Sequence, residues 1–230
     1  ILRIRKFIRN GEYDGVISFL EGANFITTLA GFPFRKWKLI VGERNANPNI
    51  LNSYKLRFYR FFHFFTDFIV SNSQTNIDMV RKINPLLKKR KLKVIYNSVD
   101  FGYWKHNECR EIFRDGKCNI VIAASHEDRK NAVGMIEALN SLDENYLNSL
   151  NIDWYGRFDK AYQESVELVN KYGLGNVVTF YPATSNIKEK MESADFIGLF
   201  SLYEGLPNVI CEALSLGKPV ITSAVSDLPI

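Results

Sequence analysis

Two hydrophobic rhythms alternate along this chain: a short apolar run, then a stripe recurring every three or four residues. In the first half the runs predict strands near 15–20, 38–42, 68–72 and 93–96. The stripes predict helices near 22–30, 51–64 and 75–84. In the second half, strands near 119–124, 151–155, 177–181, 195–200 and 219–222 alternate with helices near 131–142, 160–172, 186–193 and 208–216. Such alternation argues for parallel sheets covered by helices, an α/β fold. Between the halves, the strand ending at Tyr96 gives way to Asn97-Ser98-Val99-Asp100 and then to an aperiodic aromatic stretch, Phe101 to Trp104. A domain crossing is expected there, dividing the chain into residues 1–100 and 101–230. Repeats and low-complexity tracts are absent from the sequence.

The stretch from Ser201 to Ile221 carries the most chemistry. A buried strand, Asp195 to Phe200, runs into a loop containing Glu204, and a helix follows. Pro207 suits a first helical position, where its missing N–H costs nothing. Val209, Ile210, Ala213 and Leu214 form an apolar stripe, with Asn208, Glu212 and Ser215 on the other face. Gly217 ends the helix before the strand Val220-Ile221. Glu204 thus lies beyond the C-terminal end of a strand, where open α/β sheets bind ligands. The amides of Gly205, Leu206 and Asn208 lie at a helix start, whose unpaired donors and partial positive charge receive phosphate. Glu212 follows roughly 6 Å further along the axis. A carboxylate there suits a neutral diol such as a ribose, so the residues point to a nucleotide or phosphosugar pocket.

This stretch resembles the E-x7-E signature of retaining GT-B glycosyltransferases of family 4, the glycosyl transferases group 1, as bacterial polysaccharide and glycolipid synthesis uses them. Asp14 to Gly31, Lys38 to Asn45, Phe68 to Val80, Val94 to Asp100 and Asn119 to Asn131 are similar to further family segments in the same order. The resemblance implies two Rossmann-like parallel-sheet domains facing a cleft. Residues 1–100 would be part of the acceptor-side domain and 101–230 part of the nucleotide-sugar donor domain, both truncated relative to the family. It further implies that Glu204 is the catalytic, sugar-side carboxylate and that Glu212 holds the ribose hydroxyls. Gly205, Leu206, Pro207 and Asn208 would approach the sugar and the distal phosphate. Lys130 matches the family's phosphate lysine; the accompanying arginine position is Ala124 or Ser125 here, and Arg129 is the candidate to compensate. Gly156 stands in a turn that is richer in glycine in the family, and Tyr181 to Thr184 occupy the region that cradles the base. Glu43-Arg44-Asn45 follow a strand and either face the cleft or serve as a salt bridge or loop anchor.

Composition alters this picture in one respect. A chain of 230 residues, 46% hydrophobic and 24% charged, is ordinary for a soluble globular protein. Cys109, Cys118 and Cys211 show no metal spacing and read as free thiols; His63, His106 and His126 are too scattered for a ligand set. No signal peptide or membrane-spanning run is visible. The charge, however, is split: residues 1–100 hold 18 basic and 7 acidic side chains (+11), and the remainder 12 and 18 (−6). The basic half also carries the aromatic run Tyr54 to Val70 and the cluster Lys88 to Lys93. Most phenylalanines of that run are expected to pack in the core, while the half as a whole suits an anionic membrane surface. Without a stacking motif, nucleic acid is not expected as a partner.

The function expected from these readings is retaining transfer of a hexose or N-acetylhexosamine from a nucleotide diphosphate sugar, a UDP-sugar for preference. The acceptor would be a lipid-linked or cell-surface glycan at the cytoplasmic face of the membrane. The resemblance implies that the nucleotide sugar is a substrate and that neither a bound metal nor a separate cofactor is needed, and no Asp-x-Asp motif is present. The alternatives are a catalytically incomplete sugar-nucleotide-binding module and a GT-B sugar-nucleotide epimerase.

Overall fold

The computed structural model describes residues 1–105 and 116–229, which form two compact units. His106 and Cys109 lie outside the described residues. The first unit holds α1 (Leu2–Asn10), β1 (Gly15–Phe19), α2 (Glu21–Gly31), β2 (Lys38–Glu43), α3 (Tyr54–Phe61), β3 (Phe68–Ser71), α4 (Gln74–Ile83) and β4 (Leu92–Val94). Its strands pair in parallel in the order β1-β2-β3-β4. Leu39, Val41 and Ile69 of the sheet pack against Ile77 and Val80 of α4 and against Leu87. The core is thus formed by the runs of the central strands β2 and β3, while at the sheet edges β1 exposes Ile17 and Phe19 and β4 is only partly buried.

The second unit holds β5 (Cys118–Ala123), α5 (Ala132–Asn140), α6 (Glu144–Asn148), β6 (Leu150–Tyr155), α7 (Tyr162–Lys171), β7 (Val178–Tyr181), α8 (Ile187–Ser193), β8 (Phe196–Leu199), α9 (Asn208–Ser215) and β9 (Val220–Thr222). Its five strands are also parallel, in the order β7-β6-β5-β8-β9. Division of the chain is not a single cut. The short segment Tyr203–Leu206, and the chain from Ser226 onward, belong to the first unit, although the sequence reading placed them with the second.

Two helices escaped the sequence pattern. α1 buries only Ile8, its Leu2, Ile4 and Phe7 being exposed, and α6 is a five-residue helix that buries nothing. The single helix expected over 51–64 is broken in three. A 3₁₀ turn at Pro48–Leu51 precedes α3, whose start is capped by the Ser53 hydroxyl, and a second 3₁₀ turn covers Phe62–Phe65.

The aromatic run also faces the other way from expectation. Arg60, His63 and Thr66 point inward, while Phe58 and Phe61 are 54% and 56% exposed and Phe64, Phe65 and Phe68 are exposed too. The reason is Glu43 at the end of β2, only 4% exposed. Its two oxygens take Arg60 Nη2 and His63 Nε2, each at 2.7 Å. A buried carboxylate needs such partners, and with Arg60 and His63 facing inward, Phe61 and Phe64 beside them face out. Burial alone would raise the Glu43 pKa, but the His63 and Arg60 contacts outweigh it and hold the group below its ordinary value. Of the two roles left open for Glu43, the structure assigns the structural one.

Candidate functional site

In the second sheet β5 lies beside β8, although β6 and β7 intervene in the chain. The strand order reverses at this pair, and ligands of open parallel sheets settle beyond the C-terminal ends of such strands. Ser125, Arg129 and Lys130 follow β5; the loop to α9 follows β8.

The first of these loops is fastened at both ends. The turn Asp128–Lys130 is tied to the chain leaving β8, because the Leu202 amide donates to the Arg129 carbonyl (2.8 Å) and the Asn131 side chain donates to the Phe200 carbonyl (3.2 Å). Its base is His126, which is buried, stacks on Trp154 at 5.2 Å and is ringed by Phe158, Tyr162 and Phe180. Burial lowers its pKa, so the imidazole is neutral at pH 7.

Glu127, which the sequence did not single out, organises the loop. It accepts from the Ser125 hydroxyl at 3.0 Å and from Arg129 Nε at 2.7 Å. Burial would raise its pKa, but the Arg129 and Ser125 hydrogen bonds and the Lys130 charge hold it below the usual carboxylate value. The signal available in the sequence was its spacing, two residues from Ser125 on one side and from Arg129 on the other. Beneath the loop, Gly156 presses against the chain just past β5: a Cβ there would lie 1.8 Å from the Ala124 carbonyl oxygen. Tyr181 closes β7, stacked on Tyr155 at 4.7 Å.

Helix α9 starts at Asn208, and Pro207 flanks it in an extended conformation (ψ 126°) instead of taking the first helical position. The buried face is Val209, Ile210 and Ala213, completed by Leu216. Leu214, expected in that stripe, is 60% exposed, because about 100° per residue carries it off the arc that the other four share. At the far end, the Lys218 amide bonds the Ala213 carbonyl and the Gly217 amide that of Leu214, with Gly217 at φ 68°. Glu212 is half-buried, and burial raises its pKa. Among the described residues its carboxylate has no hydrogen-bond or ion-pair partner.

Glu204, Gly205 and Leu206 sit in the first unit. Glu204 is 7% exposed, and its backbone carbonyl accepts from the Ala46 amide at 3.2 Å. The Leu206 carbonyl accepts from Asn97 Nδ2 at 2.7 Å and Asn72 Nδ2 at 3.4 Å. Nine expected residues are therefore divided: three in the first unit, and Ser125, Arg129, Lys130, Pro207, Asn208 and Glu212 in the second. Among the described residues no group of three or more His, Cys, Asp or Glu could hold a metal ion. Among the described residues, no helix is long and apolar enough to cross a membrane.

Comparison with known proteins places these features in a family. Residues 107–229 match the glycosyl transferases group 1. An uncharacterized glycosyltransferase of Methanocaldococcus jannaschii is 28% identical over 244 residues, 96% of this chain and 58% of the relative. The Campylobacter jejuni N-acetylgalactosamine-N,N'-diacetylbacillosaminyl-diphospho-undecaprenol 4-alpha-N-acetylgalactosaminyltransferase is 23% identical, covering 96% of this chain and 60% of the relative. The chain thus spans less than two thirds of the length of these curated relatives. Among solved structures, Anabaena HepE in complex with UDP-glucose aligns with a TM-score of 0.79 at 20% identity, over 97% of this chain and 62% of that one. WaaG, a glycosyltransferase involved in lipopolysaccharide biosynthesis, aligns at 0.73 and 16%, over 96% and 62%. At such identities the likeness bears on the fold, two parallel α/β sheets of the GT-B kind.

Proposed function

Because the chain belongs to the glycosyl transferases group 1 family, we propose that it supplies the donor site of a retaining, metal-independent family 4 glycosyltransferase. The donor is a UDP-sugar, as in the HepE complexes, and the sugar moved is a hexose or N-acetylhexosamine. The acceptor is a lipid-linked or cell-surface glycan, a reading supported by the diphospho-undecaprenol in the name of the Campylobacter relative. The observation that carries the proposal is the half-buried Glu212, whose carboxylate has no partner among the described residues, on a helix that starts beyond the β5/β8 switch point. A carboxylate kept partly desolvated without a protein partner calls for a ligand that donates to it, and a ribose diol does so.

In this scheme the diphosphate lies at the start of α9 and against Lys130, where fixed dipoles and charge stabilise the leaving nucleotide. Glu204 orients the sugar and supports positive charge at the anomeric carbon. Ser125 and Arg129 act through Glu127, which holds both. The engagement of Arg129 by Glu127 favours one rival, a module that binds sugar nucleotide without transferring it, since fewer cations then face the diphosphate.

Calorimetric titration with UDP, and with GDP as control, tests the donor site without added metal. Binding of UDP that Glu212→Ala weakens about ten-fold or more is the expected result; absence of binding to either nucleotide would remove the proposal. Sugar transfer on adding an acceptor then separates the transferase from the binding module. The basic first unit, with its exposed aromatic face, brings the protein to an anionic membrane surface at the cytoplasmic side.

A further inference from the structure

The loop bearing Glu204 is held by its backbone, and the residues holding it come from three consecutive strand ends. Ala46 and Arg44 follow β2, Asn72 follows β3 and Asn97 follows β4. The Ala46 amide takes the Glu204 carbonyl at 3.2 Å, and Asn97 and Asn72 take the Leu206 carbonyl at 2.7 and 3.4 Å. Arg44 Nη2 in turn donates to Asn97 Oδ1 at 3.4 Å, which sets which way the Asn97 amide faces. Between the two held carbonyls sits Gly205. A Cβ there would come within 2.4 Å of both the Arg44 carbonyl oxygen and Asn72 Oδ1, so the loop lies against the strand ends with no room for a side chain. The Glu204–Gly205 and Leu206–Pro207 peptide groups are thereby held on either side of the Gly205–Leu206 step, and with them the backbone from which the Glu204 side chain springs.

We infer that Asn97, with Asn72 as second donor, is a positioning residue for Glu204: it fixes the 204–206 backbone through the Leu206 carbonyl. The inference rests on the reading of Glu204 as the sugar-side carboxylate. Asn97 touches no substrate in this scheme. Its amide holds the carboxylate in place, and displacement of a reacting group by about 1 Å costs on the order of a hundred-fold in rate.

Asn97→Asp is the discriminating change. It keeps the size of the side chain and the oxygen that accepts from Arg44, but replaces the donor to Leu206 with a second acceptor. In the full chain, with a UDP-sugar and a lipid-linked acceptor, kcat is expected to fall about 10- to 100-fold while the donor KM and UDP affinity stay within about two-fold. Hydrogen exchange gives a readout that needs no turnover: amides of 203–206 should exchange about ten-fold faster in Asn97→Asp and Asn72→Asp, with the core strands unchanged. Unaltered exchange at 203–206 in both variants would overturn the inference. So would an equal loss of kcat and UDP affinity, which would mark Asn97 as merely structural. Failure of the unaltered protein to bind UDP or transfer sugar would instead remove the proposed function, and the exchange result would still decide the anchoring.

Discussion

In the proposed reading, Glu212 joins structure to function through one titration. Burial places its pKa above the ordinary glutamate value, so the folded protein binds this proton more tightly than the unfolded chain does. Its linkage therefore favours the folded state at low pH, and that stability is lost as pH rises through the folded pKa. Ligand binding has the opposite sign, since the ionised carboxylate is the form that accepts two hydroxyl hydrogen bonds. UDP affinity should weaken on acidification, beginning at a higher pH than an exposed glutamate with pKa of about 4.3 would give. Glu212→Gln should lower affinity about ten-fold at pH 8 and remove that part of the pH dependence. It should also raise the melting temperature of the free protein at pH 7, because a desolvated charge is gone. Calorimetry across pH 8 to 5 and thermal scans of the two proteins check both signs. Affinity and stability moving in the same direction would contradict the reading. The placement of Glu212 on this helix was legible in the sequence, since Asn208 and Glu212 stand four apart on one helix face. Glu127 was not, because its role depends on a tight turn that brings Ser125 and Arg129 to one carboxylate.

At the level of elements, the strands and the longer helices followed the hydrophobic pattern, since a parallel sheet covered on both faces needs continuous apolar runs. What the pattern missed, besides α1 and α6, were contacts made by polar side chains from distant parts of the chain. The run from Tyr54 to Val70 looked like a core helix and a strand, yet Glu43 turns its polar positions inward. No sequence window of helical length contains that carboxylate, which precedes Arg60 by seventeen residues. The start of α4 is a second case. Ser73 caps it locally, as the sequence allows, but Asp227 also reaches it, accepting from the Gln74 amide (2.5 Å), the Thr75 amide (2.9 Å) and the Thr75 hydroxyl (2.7 Å). Tyr96 adds a further bond to the same carboxylate at 3.2 Å. Burial opposes ionisation of Asp227, but the Thr75 and Gln74 donors outweigh it and lower the pKa. Its contribution is thus present above the unfolded aspartate pKa and lost as pH falls through the folded value. Asp227→Ala should destabilise the first unit by about 1–2 kcal/mol, the usual loss of an N-terminal cap. The penalty should vanish in acid. Denaturant melts at pH 7 and at pH 3 measure both, and an equal penalty at the two pH values would show that packing, not charge, holds the segment.

Across the whole molecule, charge and exposed aromatic surface coincide. The first hundred residues carry +11 and the remainder −6, and most of the exposed rings belong to the basic part, with Phe101, Tyr103, Tyr146 and Phe158 outside it. Phe32 meets Phe65 at 5.5 Å, Phe65 meets Phe64 at 5.6 Å and Phe62 at 6.0 Å, and Phe62 meets Phe58 at 5.2 Å and Phe61 at 6.1 Å. These rings form one connected face, with Lys91 over Phe64 and Lys55 over Tyr59. Rings seat at the boundary between headgroups and acyl chains, and each basic residue near an anionic surface adds about 1 kcal/mol. The two contributions separate experimentally. Flotation with vesicles containing anionic lipid should carry the protein up, and raising the salt should release it in part, because screening removes the Coulomb share and leaves the aromatic share. Phe61→Ser with Phe64→Ser should lower vesicle binding at both salt levels while leaving UDP affinity unchanged, as neither ring lies in the second unit. Binding to neutral and anionic vesicles alike would assign the face to apolar contacts alone. Binding to oligonucleotides but not to vesicles would assign the positive charge to nucleic acid, against the reading made from the sequence.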